Sequence, residues 1–186
     1  IVPVVEIMKK HIKEIPIKLT NDANAAAIGE MIYGNAKDCK DFIMITLGTG
    51  LGSGIVCNGH LVYGNDGHAG EIGHTIYDLE GRKCKCGRRG CLETYVSAGG
   101  IIETTKEMLL TSNETSLLRE IPFIELGNKL IAEAATNGDK IAMKVYDFTA
   151  KILALKLADS VAHTSPSHIF IFGGVSKAGK VLLEPL

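Results

Sequence analysis

Three cysteines fall within eight residues, in Cys84-Lys85-Cys86-Gly87-Arg88-Arg89-Gly90-Cys91, and His74 precedes the first by ten positions. Three thiolates and one imidazole make a closed tetrahedral ligand set, the usual geometry of a structural zinc site. Gly87 and Gly90 let the backbone fold back tightly enough for the sulfurs to converge. A disulfide loop or unrelated free thiols are the alternatives. Cys39 and Cys57 lie apart from the cluster. An odd total of five cysteines with one tight group favours metal and a reducing compartment, by default the cytoplasm.

The 186 residues fit about one domain. A net charge of -1 gives no electrostatic case for nucleic acid or a membrane surface as partner. No apolar run is long enough to span a bilayer, and the start carries no signal peptide. The chain opens at Ile1 without an initiator Met, and Lys177 to Leu186 reads as the opening of a helix without a clear finish. Both ends are expected to be cuts through a larger fold.

Apolar spacing predicts a helix over Val2 to Lys13, ended by Pro16, and a strand over Ile17 to Thr20. Asn21-Asp22 is a cap signal for a helix over Ala23 to Tyr33, closed at Gly34-Asn35. Asp41 to Leu47 is a buried strand. A glycine run covers Gly48 to Gly54, and Asn58-Gly59 marks a hairpin between Ile55–Cys57 and His60–Tyr63. Ser97 can cap a helix from Ala98, and further helical patterns fit Glu125 to Thr136 and Asp139 to His163. Thr111 to Pro122 is the expected flexible loop. His168 to Phe172 is a second buried strand, ended by Gly173-Gly174. Strands alternating with helices give an α/β architecture.

Asp22 follows one predicted strand and opens a helix, at the sheet edge where ligands collect in α/β folds. It reads either as a plain N-cap or as a catalytic base, with the helix dipole favouring its ionised form. In Gly48-Thr49-Gly50-Leu51-Gly52-Ser53-Gly54 the exposed backbone N–H groups could nest a phosphate, with Thr49 and Ser53 adding hydroxyl donors. A glycine-rich β-turn is the alternative. Gly174 to Lys180 matches G-x-x-x-x-G-K, but Val181 stands where a phosphate loop needs Ser or Thr. Glu71 and Glu93 bracket the cysteine loop. Both are drawn to one neighbourhood if His74 is a ligand, where they suit sugar hydroxyls. The alternative is a pair of solvated surface acids.

Asn21-Asp22-Ala23-Asn24-Ala25, the Gly48–Gly54 run, Glu71-x-Gly73-His74 and Cys84-x-Cys86-Gly87-x-x-Gly90-Cys91-x-Glu93 occur together and in order. This pattern resembles the ROK family (repressors, open reading frames and sugar kinases), and within it the bacterial glucokinases. The resemblance implies a hexokinase-like, actin-type ATPase fold with a sugar in the cleft between two lobes. It implies that Asp22 is the base and that Asn21, Glu71, His74 and Glu93 bind sugar hydroxyls. Gly48, Thr49, Gly50 and Gly52 would meet the phosphates of ATP, carried with Mg²⁺. Gly173 and Gly174 would lie near adenosine. His74, Cys84, Cys86 and Cys91 would hold a structural Zn²⁺. A homodimer or higher homo-oligomer is expected.

The family's first phosphate loop, Asp-x-Gly-Gly-Thr, is absent. Residues 1–20 are therefore expected to be the remnant of a small N-terminal lobe, and 21–186 the large lobe, incomplete at its C-terminus. This stretch alone is expected to bind zinc without useful kinase activity. Glucose is the expected substrate. An N-acetylmannosamine-type kinase, a sugar-responsive repressor and a zinc-stabilised interaction module are the alternatives.

Overall fold

The computed structural model describes residues 2–186. Ile1, with which the expected small-lobe remnant begins, lies outside them. A four-stranded mixed sheet has the order β3-β2-β1-β4. Its strands are β1 (Phe42–Leu47), β2 (Leu51–Cys57), β3 (His60–Leu61) and β4 (His168–Phe172). β1 pairs antiparallel with β2 and parallel with β4.

The continuous apolar run of β1 follows from cover on both faces. Ile43, Ile45 and Leu47 enter the larger core, which is closed by α4 (Ala98–Thr111), α5 (Asn128–Thr136) and α6 (Lys140–Thr164). Phe42 and Met44 point the other way, into a smaller core with Ala27 of α2 (Asp22–Tyr33) and Val56. Phe42 also meets Phe170 of β4 edge-on, with centroids 5.5 Å apart.

The helices start where their cap residues put them. Asn21 Oδ1 accepts from Asn24 N at 2.7 Å, Ser97 Oγ from Gly100 N at 3.2 Å, and Asp139 Oδ1 from Ile141 N at 3.1 Å. Asn58 and Gly59 take positive φ of 51° and 77°, the two-residue turn that joins β2 to β3.

Four expectations are corrected. Ile17 to Thr20 forms no strand. No sheet neighbour lies beside it among the described residues, and Leu19 is 69% exposed. The N-terminal helix is shorter than its pattern: α1 spans Val4–Lys9 and buries none of its residues. Thr111 to Pro122 begins with the last residue of α4, contains a 3₁₀ turn over Leu117–Glu120, and is fastened. Asp139 accepts from Ser116 Oγ at 3.0 Å and Leu117 N at 2.9 Å. Arg119 donates to the carbonyls of Leu109, Ser112 and Glu114. The final stretch breaks at Gly179 (φ 62°) into a 3₁₀ turn, Val175–Ala178, and a short helix, α7 (Lys180–Leu183).

Candidate functional site

A hollow of about 610 Å³ opens at the carboxyl ends of β1 and β4. Asn21, Asp22, Glu71 and Glu93 line it, together with Gly48, Thr49, Gly50, Gly52 and Gly173. Most of the residues singled out from the sequence thus share one cavity, although they come from five segments of the chain. His74 is not on its walls. It belongs to the neighbouring cysteine cluster and connects to the hollow through Glu93, whose Oε1 lies 3.7 Å from His74 Nδ1. Gly174 also falls outside this hollow. It lines a second one of about 610 Å³ with Tyr146, Val175 and Lys177.

Asp22 does not cap its helix. Asn21 does, which leaves Asp22 at the first helical position with Oδ1 accepting from Ala23 N at 2.8 Å. The carboxylate is exposed beside the cavity. No preceding strand delivers it there. It reaches the sheet edge because α2 packs tightly on β2. A Cβ on Gly52 would lie 2.9 Å from Ala23 Cβ and 2.6 Å from Thr46 Oγ1. The glycine run is accordingly divided. Gly48 to Gly50 form the turn, closed by Gly48 N donating to Gly50 O at 3.0 Å, whereas Gly52, Ser53 and Gly54 belong to β2. Ser53 is unavailable to a phosphate: it is buried, donates to Gly70 O and accepts from Ile72 N at 3.1 Å. It fixes instead the segment that carries Glu71 and His74. Asn21 Nδ2 donates to Glu71 Oε1 at 3.3 Å, closing one side of the hollow.

The ligand atoms of His74, Cys84, Cys86 and Cys91 all lie within 4.8 Å of one another. Cys84 Sγ is 3.6 Å from His74 Nδ1, and Cys86 Sγ is 3.6 Å from Cys91 Sγ. A disulfide needs a sulfur separation of about 2.05 Å. A tetrahedron with metal–sulfur bonds of about 2.3 Å has edges of about 3.8 Å. The four side chains therefore fit a metal ion and not a disulfide, and all five cysteines are free. Gly90 makes the convergence possible: its φ is 68°, and a Cβ there would fall 1.5 Å from Asp78 O.

The thiols stand in unequal surroundings. Burial, with the Glu93 carboxylate adding to it, pushes Cys84 up to about 12. Burial also raises Cys91. Exposed Cys86 is brought down to about 6 by hydrogen bonds from the Arg88 backbone and then from its side chain. A divalent ion would hold all three as thiolates.

The sequence pattern did not reveal Arg82. Its side chain is 16% exposed and spans the cysteine loop, α3 (Glu93–Val96) and α4. Nothing local signals this, since its partners lie 12 to 25 residues away.

A family model, that of the ROK family, matches residues 1–186. A glucokinase of Halalkalibacterium halodurans is 42% identical over 175 residues, which are 93% of this chain and 53% of that protein. An N-acetylglucosamine repressor of Escherichia coli O6:H1 is 34% identical over 166 residues, covering 89% of this chain and 40% of the repressor. The crystal structure of a ROK family glucokinase from Streptomyces griseus, in complex with glucose and AMPPNP, superposes with a TM-score of 0.86 at 35% identity. It covers 98% of this chain and 60% of that one. The chain thus spans about half the length of the curated relatives it matches. Its α/β architecture is the actin-like ATPase fold of these sugar kinases. With the family model matching from end to end, the chain belongs to the ROK family.

Proposed function

We propose that this chain is the large lobe of an ATP-dependent hexose kinase, with glucose as the preferred acceptor, residues 1–20 being the end of a smaller lobe. The observation that carries the reading is the hollow in which an exposed, non-capping aspartate faces a glycine turn, with two further carboxylates beside it. Phosphoryl transfer asks a protein mainly for positioning and charge stabilisation. Asn21, Glu71 and Glu93 would hold the sugar hydroxyls, and His74 would steady Glu93 from the cluster side. The Asp22 carboxylate would take the proton of the attacking hydroxyl. The N–H groups of the Gly48–Gly50 turn would face the transferring phosphate, and Gly173-Gly174 would pass the nucleotide toward the second hollow. Magnesium arrives with ATP as part of the substrate and neutralises its phosphate charge. His74, Cys84, Cys86 and Cys91 would bind a zinc ion whose contribution is structural, because protein atoms fill all four positions.

A sugar sensor without chemistry is the second reading, supported by the 34% identity to a repressor over 166 residues. The test is a panel of hexoses with ATP, read as ADP release from the protein in its native length. Release that depends on glucose more than on N-acetylmannosamine is the expected outcome. Sugar binding with no ADP release would sink the kinase and favour the sensor.

A further inference from the structure

Arg82 is exceptionally well bound for a residue with no place in the hollow. Nε donates to Glu107 Oε1 at 3.2 Å. Nη1 donates to the carbonyls of Thr94 at 2.8 Å and Gly100 at 3.1 Å. Nη2 donates to Thr104 Oγ1 at 2.9 Å and Glu107 Oε2 at 2.5 Å. One donor on Nε and two on each terminal nitrogen are all the guanidinium has, so every one is used. Its Cζ also sits 4.7 Å above the Tyr95 ring, while Tyr95 OH accepts the Arg82 backbone N–H at 3.1 Å. Only a planar, forked cation can make this set of contacts, because a lysine ammonium cannot reach two carbonyls and a bidentate carboxylate together.

What these contacts join matters more than their number. Arg82 stands two residues before Cys84 in the metal loop. Thr94 follows Glu93, and its own N–H and hydroxyl return to Cys91 O at 3.0 and 2.7 Å. Gly100 lies in the first turn of α4, and that helix holds the glycine turn through Ala98 N donating to Gly48 O at 2.8 Å. One side chain therefore ties the metal loop to the helix bearing Glu93 and to the helix that anchors the turn at Gly48.

We infer that Arg82 is a positioning residue, the strut that sets Glu93 and the Gly48–Gly50 turn at a fixed separation across the hollow. This deepens the sugar-kinase reading and rests on it for the role of Glu93. Arg82 does not line the hollow; it acts through the residues it holds. The metal ligands contact one another directly and should survive its loss.

The test compares wild type with Arg82→Met, Arg82→Lys and Glu107→Gln in three measurements: metal content, amide hydrogen exchange and glucose affinity by calorimetry. Arg82→Met should keep its bound metal. It should exchange the Thr94 and Ala98 amides about tenfold faster and bind glucose about tenfold more weakly, as displaced site groups do. Arg82→Lys should recover less than half of that loss on a logarithmic scale, because charge without the fork cannot rebuild the bridge. Glu107→Gln, a change at a half-exposed partner that leaves the fold intact, should move exchange and affinity in the same direction by about threefold and serves if Arg82→Met does not fold. Unchanged exchange at Thr94 and Ala98, or faster exchange with unaltered glucose affinity, would overturn the inference. Loss of metal in Arg82→Met would also overturn it, reducing Arg82 to a support of the cysteine loop. If wild type itself binds no glucose, the sugar reading falls, and the exchange data alone decide whether Arg82 couples loop, helix and turn.

Discussion

At the scale of single residues, the decisive fact is a division of labour between neighbours. Asn21 satisfies the orphan N–H of Asn24, so Asp22 is released from capping and only meets Ala23 N. Capping by either residue would serve the helix equally well. Placing it on Asn21 leaves a carboxylate exposed at the mouth of the hollow. Asp22→Asn keeps an oxygen for Ala23 N and leaves the cluster untouched, so fold and metal content should not change. Phosphoryl transfer should fall by about 10²–10⁴, the usual contribution of a general base. Sugar affinity should stay within about threefold, since hydrogen bonding by the remaining side chains is retained. Steady-state ADP release and calorimetry on one preparation separate the two effects. Wild-type turnover in the variant would remove Asp22 from the role of base.

At the scale of elements, local signals were legible and long-range ones were not. Caps at Asn21 and Ser97, and the hairpin at Asn58-Gly59, are written within four residues of chain, and the structure forms them where expected, whereas Asp139, expected inside its helix, caps it. The motifs lining the hollow were likewise readable because each is contiguous. Ile17 to Thr20 has the composition of a strand, but a strand also needs a neighbour, which composition cannot display. Gly52 and Gly54 hide the alternation of β2, and the close approach of α2 leaves no room there for a larger side chain. This contact gives a prediction at its own scale. Gly52→Ala must displace α2 or Thr46, costing about 1–3 kcal/mol as overpacking does. Because α2 carries Asp22, turnover should drop while metal content holds. A variant with wild-type stability and turnover would show that the contact is slack. Tyr146 in α6 supplies a pH signature. It is 1% exposed, and burial pushes its hydroxyl up to about 12. An unfolded tyrosine titrates near 10. The raised value contributes stability that is full below about pH 10 and lost as pH rises through about 12. Tyr146→Phe should therefore flatten the fall in denaturation midpoint across that window and change little at pH 7.

At the scale of the whole molecule, the parts differ in what holds them. The sheet and its helices rest on apolar burial: Phe42, Ile43, Ile45, Leu47, Ile131, Val145 and Leu153 are wholly enclosed. The cysteine loop has no such core. Its backbone is held by turn bonds and by two isolated bridges, Ile76 to Cys91 and Lys83 to Arg89, and it carries Arg82, Lys83, Lys85, Arg88 and Arg89 without an acidic residue between them. Lys83 facing Arg89 across a bridge is unfavourable in itself, since like charges directly opposite repel. An ion held by His74, Cys84, Cys86 and Cys91 would offset this. An ion present at about 100 times its dissociation constant stabilises the folded state by about 2.7 kcal/mol. For a domain of this size each kcal/mol moves the thermal midpoint by about 2–4 °C. Removal by a strong chelator should then lower the midpoint by about 5–10 °C. The change should be local: amides of residues 75–92 should lose protection while those of β1, β4 and α6 keep theirs. Because Glu93 follows Cys91 by two positions and meets His74 at 3.7 Å, sugar affinity should weaken in the same titration and return when zinc is restored. Metal-free protein with the same midpoint, the same exchange pattern and full sugar affinity would show that His74, Cys84, Cys86 and Cys91 converge for some reason other than an ion.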